Sequence, residues 1–234
     1  MTEFKYVGAE LDLFAAAIHW KSYWSQQMAP FVSGDVLEVG AGIGSNTPFI
    51  DHGNTGQWLC IEPDPGLVAQ LSSKAGRPSG RQFEAVCGTI QTVPRTPSFD
   101  TIVYIDVLEH IEDDRLELEL AAACLRPNGR LIVLSPAHQA LFTPFDVALG
   151  HFRRYSFSTL RKISPPGLRI ERMRYLDCAG LTASIANLLI LRQSLPTARQ
   201  VRLWDRWMVP VSKVLDPAFG YGVGKSILAV WKKS

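Results

Sequence analysis

The chain has no continuous apolar run long enough to span a bilayer. Its most apolar stretch, about residues 181–191, is broken by polar residues and falls short of the roughly 20 residues a membrane helix needs. It also has no paired cysteines: Cys60, Cys87, Cys124 and Cys178 lie far apart and form no CxxC motif. That spacing argues against a disulfide framework or a zinc site and suits small buried residues, so no metal is expected. Neither sign of charge is in excess. Against 24 basic side chains stand 22 acidic ones, a net charge of +2, without the basic patch that marks a nucleic-acid binder. The opening Met-Thr-Glu-Phe-Lys contains no apolar signal core. These absences predict a reduced, soluble, cytoplasmic protein with no membrane insertion and no nucleic-acid partner.

What is present is an ordinary globular balance, with 47% hydrophobic and 20% charged residues over 234 positions. This suits one domain, 1–234, with a sizeable insertion. Residues 1–33 carry aromatics at helical spacing and read as a helical cap. Short apolar runs follow at 36–39, 58–61, 83–86, 101–105 and 131–134, separated by amphipathic segments. Alternation of this kind predicts βαβ units and a parallel sheet. Residues 116–125 read as a crossover helix ending at the turn Arg126-Pro127-Asn128-Gly129, and 168–175 and 226–231 as two more strands. Residues 176–224 form a helical insertion before the last strand, suited to a lid or a contact surface.

The sharpest feature is Glu38-Val39-Gly40-Ala41-Gly42-Ile43-Gly44, where a buried strand runs into three glycines at alternate positions. The first βα turn of a doubly wound sheet is where nucleotide-like cofactors dock. A dinucleotide fingerprint is GxGxxG; here the third glycine comes one residue early. Glu38, two residues before the first, would repel a pyrophosphate but attract a cation. S-adenosyl-L-methionine carries a sulfonium and an ammonium group and no phosphate, so it fits the loop better than a nicotinamide dinucleotide. The second strand ends in Glu62-Pro63, and an acid there can accept hydrogen bonds from both ribose hydroxyls.

On these residues the chain resembles the class I S-adenosylmethionine-dependent methyltransferases over roughly 34–135. Glu38-x-Gly40-x-Gly42-x-Gly44 is similar to the family's first motif, and Glu62 to its ribose-binding acid. Residues 99–111 (Phe-Asp-Thr-Ile-Val-Tyr-Ile-Asp-Val-Leu-Glu-His-Ile) resemble the fourth strand and its exit. Residues 125–133 resemble the turn into the fifth strand, with Asn128 replacing a glycine. The resemblance implies an α/β, Rossmann-like, doubly wound fold: a mostly parallel seven-stranded sheet with the last strand antiparallel. It also implies that Gly88 and Thr89 flank the adenine, and that Asp106 and Val107 lie near the methionine end of the cofactor. A GHxRRY-like element at 150–155 further resembles a subgroup of bacterial small-molecule methyltransferases.

Methyl transfer depends on alignment of the acceptor with the methyl carbon and on a base where the acceptor must lose a proton. His138, after the fifth strand, and His151 and Tyr155 in the GHxRRY-like string are the catalytic candidates. Arg154, Phe142 and Tyr23 are candidate contacts to a small-molecule substrate. His110 reads as architectural or cofactor-adjacent. Trp204-Asp205-Arg206-Trp207 reads first as a packing stripe, then as a substrate wall or homodimer surface. The expected reaction is methyl transfer to oxygen or nitrogen of a small, biosynthetic acceptor. Two rivals keep the cofactor: an enzyme that moves or cyclises the aminocarboxypropyl arm and releases methylthioadenosine, and a non-catalytic binding scaffold.

Overall fold

A computed structural model of the chain describes residues 10–73, 83–186 and 196–234. The opening pentapeptide, the start of the expected cap and positions 187–195 of the expected insertion lie outside the described residues. Two short helices, α1 (Glu10–Ala15) and α2 (Ile18–Met28), precede β1 (Gly34–Val39). Then come α3 (Thr47–Ile50), β2 (Thr55–Glu62), α4 (Pro65–Ser73), β3 (Phe83–Cys87) and β4 (Phe99–Ile105). After α5 (Asp114–Cys124) and β5 (Leu125–Pro136) lie α6 (Pro144–Ala148), α7 (Phe157–Lys162) and β6 (Leu168–Leu176). The helices α8 (Cys178–Ala186), α9 (Ala198–Leu203) and α10 (Val209–Ala218), with a π-helical turn over Trp204–Met208, lead to β7 (Ser226–Lys233).

The seven strands form one sheet in the order β3-β2-β1-β4-β5-β7-β6. β7 runs antiparallel to both neighbours, and the other pairings are parallel. This is the expected Rossmann-like architecture. The central strands are apolar on both faces, as parallel strands covered by helices must be. Val36, Val103, Ile105, Ile132 and Leu134 pack toward α2 and the insertion helices. The intervening Leu37, Ile102, Tyr104, Leu131 and Val133 pack toward α5, the period of two that a pleated strand imposes. No helix of the described residues is long and apolar enough to cross a membrane. All four cysteines are unpaired thiols.

Asn128 takes a left-handed φ of 65°, the geometry asparagine tolerates. Beside it, Arg126 bridges Asp35 at 2.9 Å and Asp100 at 2.6 Å, tying the β5 start to β1 and β4.

The cap and the insertion pack on each other through buried polar contacts. The residue before α2 is Ala17, which offers no capping side chain. Asp205 caps the helix instead, accepting from the backbone N–H of His19 at 3.2 Å and Trp20 at 2.8 Å. Asp216, fully buried in α10, accepts from the Tyr23 hydroxyl at 2.6 Å, and its carboxylate also receives the N–H of Asp177 and of Cys178. Burial, then the bond to Asp216, pushes the Tyr23 phenol far above its ordinary range. Tyr23→Phe therefore leaves a buried acceptor one donor short, at a cost of about 1–3 kcal/mol. The expected result is a lower melting temperature with unchanged affinity for S-adenosylmethionine, read by thermal denaturation and calorimetry. A selective loss of acceptor turnover with no change in melting would restore Tyr23 as a substrate contact.

Candidate active site

In chain order the sheet steps outward from β1 to β3 and then jumps back to β4, on the other side of β1. The crevice between the carboxyl ends of β1 and β4 is thus a topological switch point, where ligands of open α/β sheets bind. Glu38, Gly40, Ala41, Gly42 and Gly44 leave β1, and Asp106 and Val107 leave β4. Glu62 and Pro63 end β2, and Gly88 and Thr89 follow β3. The structure gathers all of them along one sheet edge.

The glycine loop is held open by backbone geometry. Gly40, Gly42 and Gly44 have φ of 66°, 56° and 72°, a region that side chains with a Cβ rarely enter. A Cβ on Gly40 would sit 2.6 Å from Val107 Cγ2, and one on Gly44 2.4 Å from Leu71 Cδ1. The Gly40 N–H donates to Ile61 O at 2.8 Å, and the Gly42 N–H to Glu62 Oε2 at 2.9 Å. Glu62 also accepts from the Asp64 N–H at 3.1 Å through its other oxygen. Gly88 N–H donates to Glu62 O at 3.0 Å, while Thr89 is exposed.

Glu38 lies beneath the loop and is almost wholly buried. Its Oε2 accepts from Thr47 Oγ1 at 2.8 Å and from Trp58 Nε1 at 3.2 Å, with the Cys60 thiol 3.6 Å away. Burial lifts its pKa to about 7 against these donors and the nearby Lys21 charge. Lys21, from α2, reaches over the loop and donates to Ser45 O at 3.0 Å. Burial lowers its pKa to about 8, opposed by the charges of Asp106, Glu38 and Asp205. Nothing local in the sequence singles out Lys21, because its partners come from β1, β4 and the insertion.

Asp106, with φ of 54°, keeps an open edge in an otherwise protein-walled crevice. Those walls strip part of its water and raise its pKa, opposed by the charges of His151, Lys225 and Lys21. Next to it, Glu109 is fully buried, and both its carboxylate oxygens lack a hydrogen-bond partner.

The candidates after β5 divide. His138 sits at φ 65°, stacks on Tyr175 with ring centroids 4.7 Å apart, and places Nε2 2.8 Å from Gly224 O. A carbonyl can only accept, so Nε2 donates in this bond and Nδ1 takes no part in it. Phe142 is half-buried. His151 Nδ1 lies 2.9 Å from Asp146 Oδ1, and Arg154 grips the same carboxylate through Nε at 2.8 Å and Nη2 at 2.9 Å. Asp146 is fully buried; burial alone would raise its pKa, but the bonds from His151 and Arg154 outweigh it and hold the carboxyl well below its ordinary range. Tyr155 is buried, its hydroxyl 2.8 Å from Asp114 and 3.1 Å from Leu108 O. The polar groups of Arg154 and Tyr155 thus bond to other groups of the protein itself.

Comparison with known proteins agrees with this fold. Residues 37–131 match the model of a methyltransferase domain. A curated ubiquinone biosynthesis O-methyltransferase from Bradyrhizobium diazoefficiens is 26% identical over 98 residues, 42% of this chain and 38% of that protein. The match therefore spans well under half of the relative's length. The [4+2]-cyclase SpnF superposes with a TM-score of 0.61 at 16% identity, covering 97% of this chain and 94% of that one. Coclaurine N-methyltransferase, solved with N-methylheliamine and S-adenosylhomocysteine, superposes with a TM-score of 0.61 at 17% identity, covering 93% and 73%. The expected cofactor, S-adenosyl-L-methionine, accords with the domain match and with these neighbours. Residues 37–131 thus carry the sequence of a methyltransferase domain, on a chain whose overall fold is the Rossmann-like fold of the S-adenosylmethionine-dependent methyltransferases.

Proposed function

We propose that the chain transfers a methyl group from S-adenosylmethionine to an oxygen or nitrogen of a small-molecule acceptor. The observation that carries this reading is the ring of carboxylates at the first βα turn. Glu38, Glu62 and Asp106 border a loop whose three glycines hold left-handed backbone, with no room for a Cβ at Gly40 or Gly44, an arrangement that favours a sulfonium and an ammonium over a pyrophosphate. Glu62 is the acceptor for the ribose hydroxyls, and Lys21 the cation for the methionine carboxylate. The bound cofactor supplies an electrophilic methyl carbon. The chain's own residues orient it and take up the proton an acceptor hydroxyl or amine loses. His138, whose Nδ1 takes no part in the Gly224 bond, is the candidate base. His151 is held by Asp146, and Arg154 and Tyr155 support the wall. Phe142 contributes apolar surface.

The test is incubation with S-adenosylmethionine labelled at the methyl group and a metabolite extract, followed by product mass. S-adenosylhomocysteine and an acceptor heavier by one methylene support the proposal. Methylthioadenosine as the sole nucleoside product overturns it in favour of aminocarboxypropyl chemistry. No binding at millimolar cofactor overturns the cofactor assignment and leaves a scaffold.

A pH dependence follows from Glu38, which faces Thr47 on α3, Trp58 and Cys60 on β2, and Lys21 on α2. Its ionised form attracts the cofactor's positive charges more than its neutral form does. With a pKa of about 7, affinity is expected to rise about tenfold from pH 6 to 8, the effect of one proton released. Lys21 stays largely protonated over most of that window. Calorimetry of the wild type against Glu38→Gln reads the effect. The variant should bind more weakly and without the pH slope; a flat wild-type profile removes Glu38 from cofactor recognition.

A further inference from the structure

We propose that Glu109, His110 and His151 form a binding site for a single divalent transition-metal ion. Glu109 and His110 lie in the short turn after β4, and His151 comes from the segment after α6. One ligand atom from each lies within 4.8 Å of the others. Ligands about 2.0–2.2 Å from one ion in a tetrahedral zinc site lie about 3.3–3.6 Å apart, so a modest inward shift of the side chains closes the site. The two imidazoles meet edge to face with centroids 4.6 Å apart.

Three independent features point to an ion. First, the Glu109 carboxyl is fully buried and makes no well-formed hydrogen bond, with the buried Ser135 hydroxyl as its neighbouring donor. Buried carboxyl oxygens are almost always satisfied, so this one is either a neutral acid or a ligand. Second, the carboxyl has Asp106 as a like-charged neighbour, a repulsion that a divalent cation removes. Third, the His151 imidazole is oriented by an outer carboxylate. His151 Nδ1 lies 2.9 Å from Asp146 Oδ1, so Nε2 is the ring nitrogen left over from that bond. This is the carboxylate–histidine–metal arrangement of many metal sites. Two imidazoles and one carboxylate suit Zn2+, Fe2+, Mn2+ or Co2+ and leave coordination positions open. Composition alone cannot find this site, because His151 joins Glu109 and His110 through tertiary packing, with the Phe152 N–H donating to Glu109 O at 2.8 Å.

The experiment is titration of metal-stripped protein with Co2+, followed by visible d–d absorption, with Zn2+ in parallel by calorimetry. One saturable equivalent is expected for the wild type, and a loss of affinity of tenfold or more for Glu109→Gln and for His110→Gln. Both are near-isosteric, and circular dichroism verifies that they fold. If neither folds, two Co2+-shifted imidazole N–H resonances in the wild type report the same ligands. Absence of saturable uptake at hundred-micromolar metal overturns the proposal and leaves Glu109 as a buried neutral acid. Uptake undiminished in both folded variants also overturns it. Metal binding does not depend on the methyl-transfer reading, so a failed titration leaves the cofactor assignment standing.

Discussion

Replacing Gly40 by alanine is expected to abolish high-affinity cofactor binding and to destabilise the protein together. The residue has φ of 66°, where a Cβ meets its own carbonyl at a cost of roughly 1–3 kcal/mol. The same Cβ would stand 2.6 Å from Val107 Cγ2 and 2.9 Å from Cγ1. Val107 follows Asp106 at the β4 exit, so relief of the clash moves both walls of the crevice at once. A melting temperature lower by roughly 2–4 °C per kcal/mol is expected for a chain of this size, with an affinity for S-adenosylmethionine at least tenfold weaker. Gly53→Ala is the control. Its φ is 91° with open space around the added carbon, so it carries backbone strain on a surface turn far from the crevice. It should lower stability and leave affinity unchanged. Equal affinities for Gly40→Ala and the wild type would remove the loop from the binding site.

The second large effect is expected at Asp146. Its buried carboxylate accepts from the Thr143 backbone at 2.8 Å, from His151 at 2.9 Å and from two nitrogens of Arg154 at 2.8 and 2.9 Å. Arg154 is only 11% exposed in its side chain, so Asp146→Asn leaves a guanidinium with little water and no counter-charge. Breaking one side of a buried pair costs about 3–5 kcal/mol, or a drop of roughly 6–20 °C in melting temperature. Asp146→Asn combined with Arg154→Gln should recover part of that loss, because the orphaned charge is gone; the double-mutant cycle isolates the coupling. The pH dependence has a definite sign. The folded-state pKa is depressed, so the stabilisation is present above the unfolded value of about 4 and is lost as pH falls below it. Wild type and variant should therefore converge in stability under strong acid. A loss under about 1 kcal/mol at neutral pH would mean that the network contributes little beyond what solvent supplies.

Much of this site was legible because it is local. A strand of Val36, Leu37 and Val39 running into glycines at 40, 42 and 44 specifies a βα turn with left-handed backbone, whatever lies elsewhere in the chain. Glu38 and Glu62 could be read as charges beside that turn because each sits at the end of a run that must be buried on both faces. Asn128 at a left-handed position was legible for the same reason. Lys21, Asp205 and Asp216 were not. Asp205 caps a helix 185 residues away, and Tyr23 meets Asp216 across 193. Such pairs obey no period and have no spacing to recognise.

The sequence by itself determined the strand and helix periods, the mostly parallel sheet, and the glycine loop at its first βα turn. These are set by backbone sterics and by burial, which act over a few residues at a time. Only the tertiary structure decided what the polar side chains do. It drew Arg154, Tyr155 and Tyr23 into ion pairs and hydrogen bonds with buried acids, laid Lys21 across the glycine loop, and brought His151 against Glu109 and His110. Once folding removes water from a charge, its partner is whichever group the packing brings within about 3 Å, and that distance is not written along the chain.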